Sequence, residues 1–125
     1  MNKKIISTDK APAAIGPYSP AVEAGGFMFA SGQIPIDPAT GNIPEGIEAQ
    51  ARQALTNVKN LIEAAGLTLD AVVKTSVFIR NMDDFAKVNE IYAQFFTDRY
   101  PARSCVEVSR LPKDVLIEVE VIAAR

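Results

Sequence analysis

The chain has no histidine among its 125 residues and a single cysteine, Cys105. The first absence removes the commonest general base and the commonest metal ligand. The second rules out an intrachain disulfide and any cysteine cluster for zinc or iron–sulfur. Long apolar runs are missing too, and none approaches the length of a membrane helix. The opening MNKKIIST has a positive end with no apolar stretch behind it, so no secretory signal is expected. A strong excess of one charge is also lacking. The formal net charge of -2 argues against a broad electrostatic footprint for nucleic acid or an anionic membrane. A reducing cytoplasm is the expected compartment. Chemistry then falls to Arg, Lys, Asp, Glu, Tyr, Ser, Thr, Asn, the lone thiol or the backbone.

What is present is ordinary for a globular protein: 48% hydrophobic and 22% charged residues. The length fits one domain over 1–125. A chain of this size buries roughly two-thirds of its unfolded surface and needs neither disulfide nor metal to fold. Ile5 and Ile6 mark a short first strand. APAAIGPYSPA, with three prolines and a glycine, reads as an irregular loop. AVEAGGFMFASGQIP reads as a hairpin turning at Gly25–Gly26. PIDPATGNIPEG is a long turn-rich connection. From Ile47 the period becomes helical, through Ala51, Leu55, Val58, Leu61, Ile62 and Ala65, with Gly66 as the C-terminal cap. DAVVKTSVFIR reads as a strand. A second helix follows, with Asp83 and Asp84 at its start and an apolar stripe of Phe85, Val88, Ile91, Tyr92, Phe95 and Phe96. The order predicts an α+β fold, a mixed β-sheet with two helices packed on one face.

The last stretch, PARSCVEVSRLPKDVLIEVEV, predicts a hairpin turning at Leu111–Asp114. Alternation along its strands sends Val106, Val108, Val115, Ile117, Val119 and Val121 to the core. It sends Arg103, Cys105, Glu107 and Ser109 to the other face together with Glu118 and Glu120. That register sets Arg110 beside Val115 and Glu107 opposite Glu118, a like-charge pairing that destabilises. A solvated outer face would account for the charges. Cys105 is a poor residue for open solvent, and the sharper reading is a partly enclosed cleft with Arg103 as an anion receptor among carboxylates.

At these residues the sequence resembles the RidA/YjgF family, the reactive-intermediate deaminases. PARSCVEVSRLPKDVLIEVEVIA resembles the family's C-terminal signature. AAIGPYSPAV, SGQIPIDPATG, QARQALTNVKNLIEAAG and VVKTSVFI resemble further family segments in the family's order. The resemblance implies a chorismate-mutase-like fold assembled as a homotrimer with three clefts between subunits. It implies cofactor-free hydrolysis of 2-imino acids, 2-iminobutanoate and 2-iminopropanoate, to 2-oxo acids and ammonia. The imines arise through enamines made by pyridoxal-phosphate dehydratases.

Carried over position by position, the resemblance makes Arg103 the substrate-carboxylate arginine, a role that suits its planar fork. Glu118 becomes the acidic residue that holds the attacking water. Tyr18, Ser31 and Asn89 become substrate-binding cleft residues, and Cys105 a cleft residue contributing through its backbone. Pro20 stands where many members have glutamine. Each assignment has a plainer competitor. Tyr18 could pack its ring in a loop, Ser31 could satisfy backbone, and Asn89 could bridge locally on its helix. Arg103 could hold an ion pair with Glu107 or Glu118. Cys105 reads as a small buried residue rather than a nucleophile, with no histidine to activate it and a thiol pKa expected to be raised. Glu120 reads as structural.

Two classes of function remain open. An imine deaminase needs both Arg103 and Glu118. A small-carboxylate-binding regulatory trimer needs the arginine alone, and a chaperone-like holdase needs neither. RNA cleavage, also credited to family members, fits poorly with the absent histidine and acidic balance. No metal, nucleic acid or membrane partner is expected.

Overall fold

Residues 2–125 are described in a computed structural model. The helical period beginning at Ile47 becomes α1, Ile47–Ala64, with Ile47, Ala51, Leu55, Val58, Leu61 and Ile62 all buried. Gly66, at φ 77, closes it. Its N–H donates to the Glu63 carbonyl at 2.9 Å, and the Leu67 N–H reaches back to Ile62 at 3.2 Å. This Schellman closure needs a left-handed residue, which glycine supplies without strain. The second helix, α2, spans Phe85–Phe95 and buries Val88, Ile91 and Tyr92. A short 3-10 turn leads into it, and Asn81 Oδ1 accepts from the Asp83 N–H at 2.9 Å.

Six strands form one sheet: β1 (Lys4–Ile6), β2 (Ala21–Ala24), β3 (Phe27–Gln33), β4 (Val72–Ile79), β5 (Ala102–Glu107) and β6 (Ile117–Ala124). Their spatial order is β1-β2-β3-β6-β4-β5. The β2–β3 hairpin turns at Gly25 and Gly26, with φ of 61 and 81. Positive φ at both central residues is what a two-residue hairpin turn requires. All pairings are antiparallel except β4 with β5, which is parallel. The α+β class and the mixed sheet match expectation.

The final hairpin does not form. β6 lies between β3 and β4, and β5 lies beyond β4 at the sheet edge. The β4–α2–β5 segment is a parallel crossover, which a helix makes possible. The residues after β5 then carry the chain past β4. Val108 donates from its N–H to Ile79 at 2.8 Å, and a 3-10 turn occupies Pro112–Asp114. β6 takes the central place because Ile117, Val119, Val121 and Ala123 are apolar at every second position and all buried. Arg110 pairs with Asp114 at 2.8 Å rather than sitting beside Val115.

The core lies between α1, α2 and one face of the sheet. Two buried amides tie the 34–46 connection to it. Asn57 Nδ2 donates to the carbonyls of Ile34 and Ile36 at 3.1 and 2.9 Å. Gln50 Nε2 donates to Pro44 at 3.0 Å, and its Oε1 accepts from the Leu116 N–H at 2.8 Å. The outer face carries no helix. Across it Ile5, Val22, Phe29 and Ile122 stand in one register row. Ile5 is 51% exposed and Phe29 47%.

Candidate active site

Loss of the hairpin changes the face on which β5 presents its side chains. Its register with β4 sets Arg103 beside Thr75, Cys105 beside Val77 and Glu107 beside Ile79. Thr75, Val77 and Ile79 are all buried under the helices. Arg103, Cys105 and Glu107 therefore lie on the helix-covered side of the sheet. Val106, expected in the core, is instead 46% exposed on the outer face. Side chains alternate along each strand as expected, but the two strands stand in a different relation. Glu118 and Glu120 do occupy the outer face, because Ile117, Val119 and Val121 point into the core. Glu107 is not opposite Glu118. Its Oε1 accepts from the Met82 N–H at 2.8 Å, at the start of the turn into α2.

The candidate residues thus fall into two groups. The first gathers at the edge strand. Arg103 Nη1 donates to Asn89 Oδ1 at 2.7 Å. Its guanidinium lies over the Tyr92 ring at 4.8 Å and the Phe85 ring at 5.4 Å. Such stacking suits a delocalised, weakly hydrated cation. Tyr92 is itself fixed by a buried hydroxyl–hydroxyl hydrogen bond with Thr75 at 2.9 Å. Burial pushes the Tyr92 phenol up, while Thr75 and Arg103 pull it down. Among the described residues Arg103 makes no ion pair. Cys105 packs against the core beside it. Its thiol pKa is raised by burial, opposed by Arg103. The direction matches expectation, but the cause is the apolar core rather than neighbouring carboxylates.

The second group lies on the outer face around Glu118. The glutamate is half-buried, and its carboxyl pKa is raised, first by burial and then by repulsion from Glu120. Tyr18 sits in the proline-rich loop, where its hydroxyl accepts from the Ile15 N–H at 3.3 Å. It lines a hollow with Ile15, Pro20 and Gly32. Ser31 Oγ donates to the Ser19 carbonyl at 2.7 Å, and the Ser31 N–H donates to Pro20 at 2.9 Å, so the serine pins that loop to β3. Arg103, Asn89 and Cys105 therefore form one half-site, and Tyr18, Ser31 and Glu118 form another across the sheet. Sequence reasoning missed Tyr92 and Phe85 as the platform under Arg103. Their helical stripe reads as core, and only the parallel placement of β5 brings the guanidinium over them. No group of three or more metal-ligating side chains gathers among the described residues. No helix there is long and apolar enough to cross a membrane.

Comparison with known proteins covers both half-sites. The family model described as endoribonuclease L-PSP matches residues 8–125. The 2-iminobutanoate/2-iminopropanoate deaminase of Escherichia coli is 56% identical over 125 residues, spanning 98% of this chain and 98% of that protein. The Salmonella typhimurium protein of the same name is 57% identical over 125 residues, with the same coverage of 98% on each side. The crystal structure of E. coli TdcF with bound serine aligns with a TM-score of 0.95 at 53% identity, covering 98% of each chain. RidA from an Antarctic Psychrobacter aligns with a TM-score of 0.95 at 44% identity, covering 98% of this chain and 99% of that one.

Proposed function

Because the chain belongs to the RidA/YjgF family, the proteins of the endoribonuclease L-PSP description, we propose that it hydrolyses 2-iminobutanoate and 2-iminopropanoate to 2-oxo acids and ammonia without a cofactor. The observation that carries this reading is near-full-length identity of 56% to a protein named for that reaction. The two half-sites supply what the reaction needs.

The site is shared between chains of a cyclic homotrimer, with Arg103 and Asn89 from one and Tyr18, Ser31 and Glu118 from a neighbour. This assembly is favoured because the two groups face opposite sides of one sheet, so a single chain cannot close both around a small substrate. The unhelixed outer face, with Ile5 and Phe29 exposed in an apolar row, is a surface that association would bury. In this arrangement Arg103 holds the substrate carboxylate with two parallel N–H donors. Tyr92 and Asn89 keep the fork from turning away.

Glu118 accepts a proton from water as the water oxygen bonds to the protonated imine carbon. The product is a carbinolamine. Glu118 then returns that proton to the amine nitrogen. The C–N bond breaks with its electron pair leaving on nitrogen as ammonia. The hydroxyl proton passes to the Glu118 carboxylate as the C=O forms, and Glu118 then gives it to the ammonia, which leaves as ammonium. A carboxyl raised above its ordinary value serves both directions better than a strongly acidic one, since acid–base efficiency peaks when the pKa nears the working pH. Holding water and imine together contributes further through lost translational freedom.

RNA cleavage would be a different reaction. It calls for acid–base groups around a phosphate, and the chain offers no histidine and a net charge of -2. The proposed compartment is the cytoplasm, with no nucleic-acid or membrane partner. A coupled assay tests the reaction: a threonine dehydratase generates the imine, and 2-oxobutanoate release is timed with and without the protein. Release at the uncatalysed rate would leave the small-carboxylate regulator and the holdase as the remaining readings.

A further inference from the structure

β3 does not run in step with β6. Ala30 pairs with Val121 and Gln33 with Val119, so β3 takes three steps where β6 takes two. Such a bulge re-aims side chains and bends the strand. Here it is held from both sides. Ser31 donates through its N–H and its hydroxyl to the carbonyls of Pro20 and Ser19, at 2.9 and 2.7 Å. The Ser31 carbonyl accepts from Gln33 Nε2 at 3.0 Å. The residue inside this clamp is Gly32.

Backbone conformation does not demand a glycine there. The glycines with positive φ are Gly25, Gly26, Gly41, Gly46 and Gly66, and Gly32 is not one of them. Space restricts it instead. A Cβ on Gly32 would lie 2.5 Å from Glu118 Oε2, 2.7 Å from Glu118 Cδ and 3.0 Å from Glu118 Cγ. All three nearest atoms belong to the one side chain that the proposed reaction uses as its acid–base group.

We infer that Gly32 is a positioning residue for imine hydrolysis: the missing Cβ is the space in which the Glu118 carboxylate is held. This rests on the role proposed for Glu118. The clamp keeps β3 from retreating, so an added methyl group must displace the carboxylate rather than the strand. A displaced carboxylate leaves its half-buried position and gains water. The charged group acting on it is Glu120 on its own strand, and its partner across β4 is the uncharged Phe78. Neither of these changes in Gly32→Ala, so a shift in the Glu118 titration reports its position.

The test is a four-member cycle: wild type, Gly32→Ala, Glu118→Ala and the double variant, each compared by urea unfolding. Truncating Glu118 removes the three atoms nearest the new methyl. Gly32→Ala is expected to be less favourable to stability when Glu118 is present than when Glu118 is truncated, where the loss of glycine's backbone freedom alone should be neutral or stabilising; that difference is the signature of direct coupling. Carbon-13 NMR of the carboxyl groups should find the Glu118 midpoint of Gly32→Ala lower than in wild type. In the coupled assay kcat should fall by about tenfold or more with KM within about threefold, as when an interaction specific to the transition state is lost. An equal change of stability in both backgrounds, or an unmoved Glu118 midpoint, overturns the steric claim. A shifted midpoint with wild-type kcat removes Glu118 from the reaction and overturns the claim through that role. If the wild type proves inactive, the proposed function fails, while the unfolding cycle and the titration still decide whether Gly32 places the carboxylate.

Discussion

Mixing two inactive subunits tests the shared site. Arg103→Ala removes the guanidinium that is stacked on Tyr92 at 4.8 Å and hydrogen-bonded to Asn89 at 2.7 Å. A hydrogen bond to a charged group is worth about 1.5–3 kcal/mol, so losing a bidentate pair costs about 3–6 kcal/mol. At about 1.4 kcal/mol per tenfold, kcat/KM should fall by roughly 10²–10⁴-fold. Glu118→Gln removes the acid–base group, worth roughly 10²–10⁴-fold by itself. Each variant alone is then nearly dead. In a mixed trimer of the proposed kind, a site would draw its arginine from one chain and its glutamate from a neighbour. With equal, random mixing each contribution is intact half the time, so roughly one quarter of the sites regain both groups. Co-refolded variants should therefore recover about a quarter of wild-type imine hydrolysis in the dehydratase-coupled assay, with mixed trimers verified by native mass spectrometry. Verified mixed trimers that stay at the level of the two parents would refute the split of Arg103 and Glu118 between chains.

Other expectations concern the same groups. Sedimentation equilibrium at micromolar concentration should give three times the 13.5 kDa chain mass, and a lone 13.5 kDa species would remove the intersubunit site altogether. Cys105→Ala should keep imine hydrolysis within about tenfold, since burial holds the thiol in its protonated form, and a collapse of rate in a folded trimer would make it a participant. Arg103→Lys should recover little of the Arg103→Ala loss, because an ammonium cannot reproduce the fork; calorimetry with 2-oxobutanoate measures this directly. Glu118 has a raised folded-state pKa, so folding takes up protons between its unfolded and folded values. The stability it contributes is full below the unfolded value of about 4.3 and is lost as pH rises through the folded one. Glu118→Gln should accordingly resist urea better than wild type at about pH 7 and lose that advantage at about pH 4, and the reverse pattern would contradict the burial assigned to the carboxyl.

Local features were legible in the sequence because short-range rules govern them. α1 follows from its apolar spacing and Gly66, the β2–β3 hairpin from Gly25–Gly26, and the inward face of β6 from four alternating apolar residues. The neighbour of β5 was not legible. Nine residues separate Glu107 from Ile117, enough for a turn and also enough to pass over β4, and nothing within the segment distinguishes the two. That choice belongs to long-range packing, which puts the strand with the most regular apolar face at the centre. Arg103 and Glu118 could therefore be picked out by resemblance, but not placed on opposite sides. Asn57 and Gln50 were invisible for a related reason. Their value lies in carbonyls of a connection distant in sequence, and on a helical wheel they pass for surface amides.

The central place of β6 has a consequence for synthesis. A ribosome makes the six strands in numerical order, so the strand at residues 117–124 emerges after the other five. Without it, the sheet order leaves β1, β2 and β3 as one possible ribbon and β4 and β5 as another, with no ladder between them. Each ribbon then presents an unpaired edge, β3 on one and β4 on the other, and such edges are prone to pair with a second nascent chain. β6 closes both edges in one event and brings Glu118 to the bulge in the same step. A chain released before residue 117 would carry Arg103 and Tyr18 but no closed sheet. Such a fragment is expected to aggregate rather than to join the proposed trimer as a defective subunit.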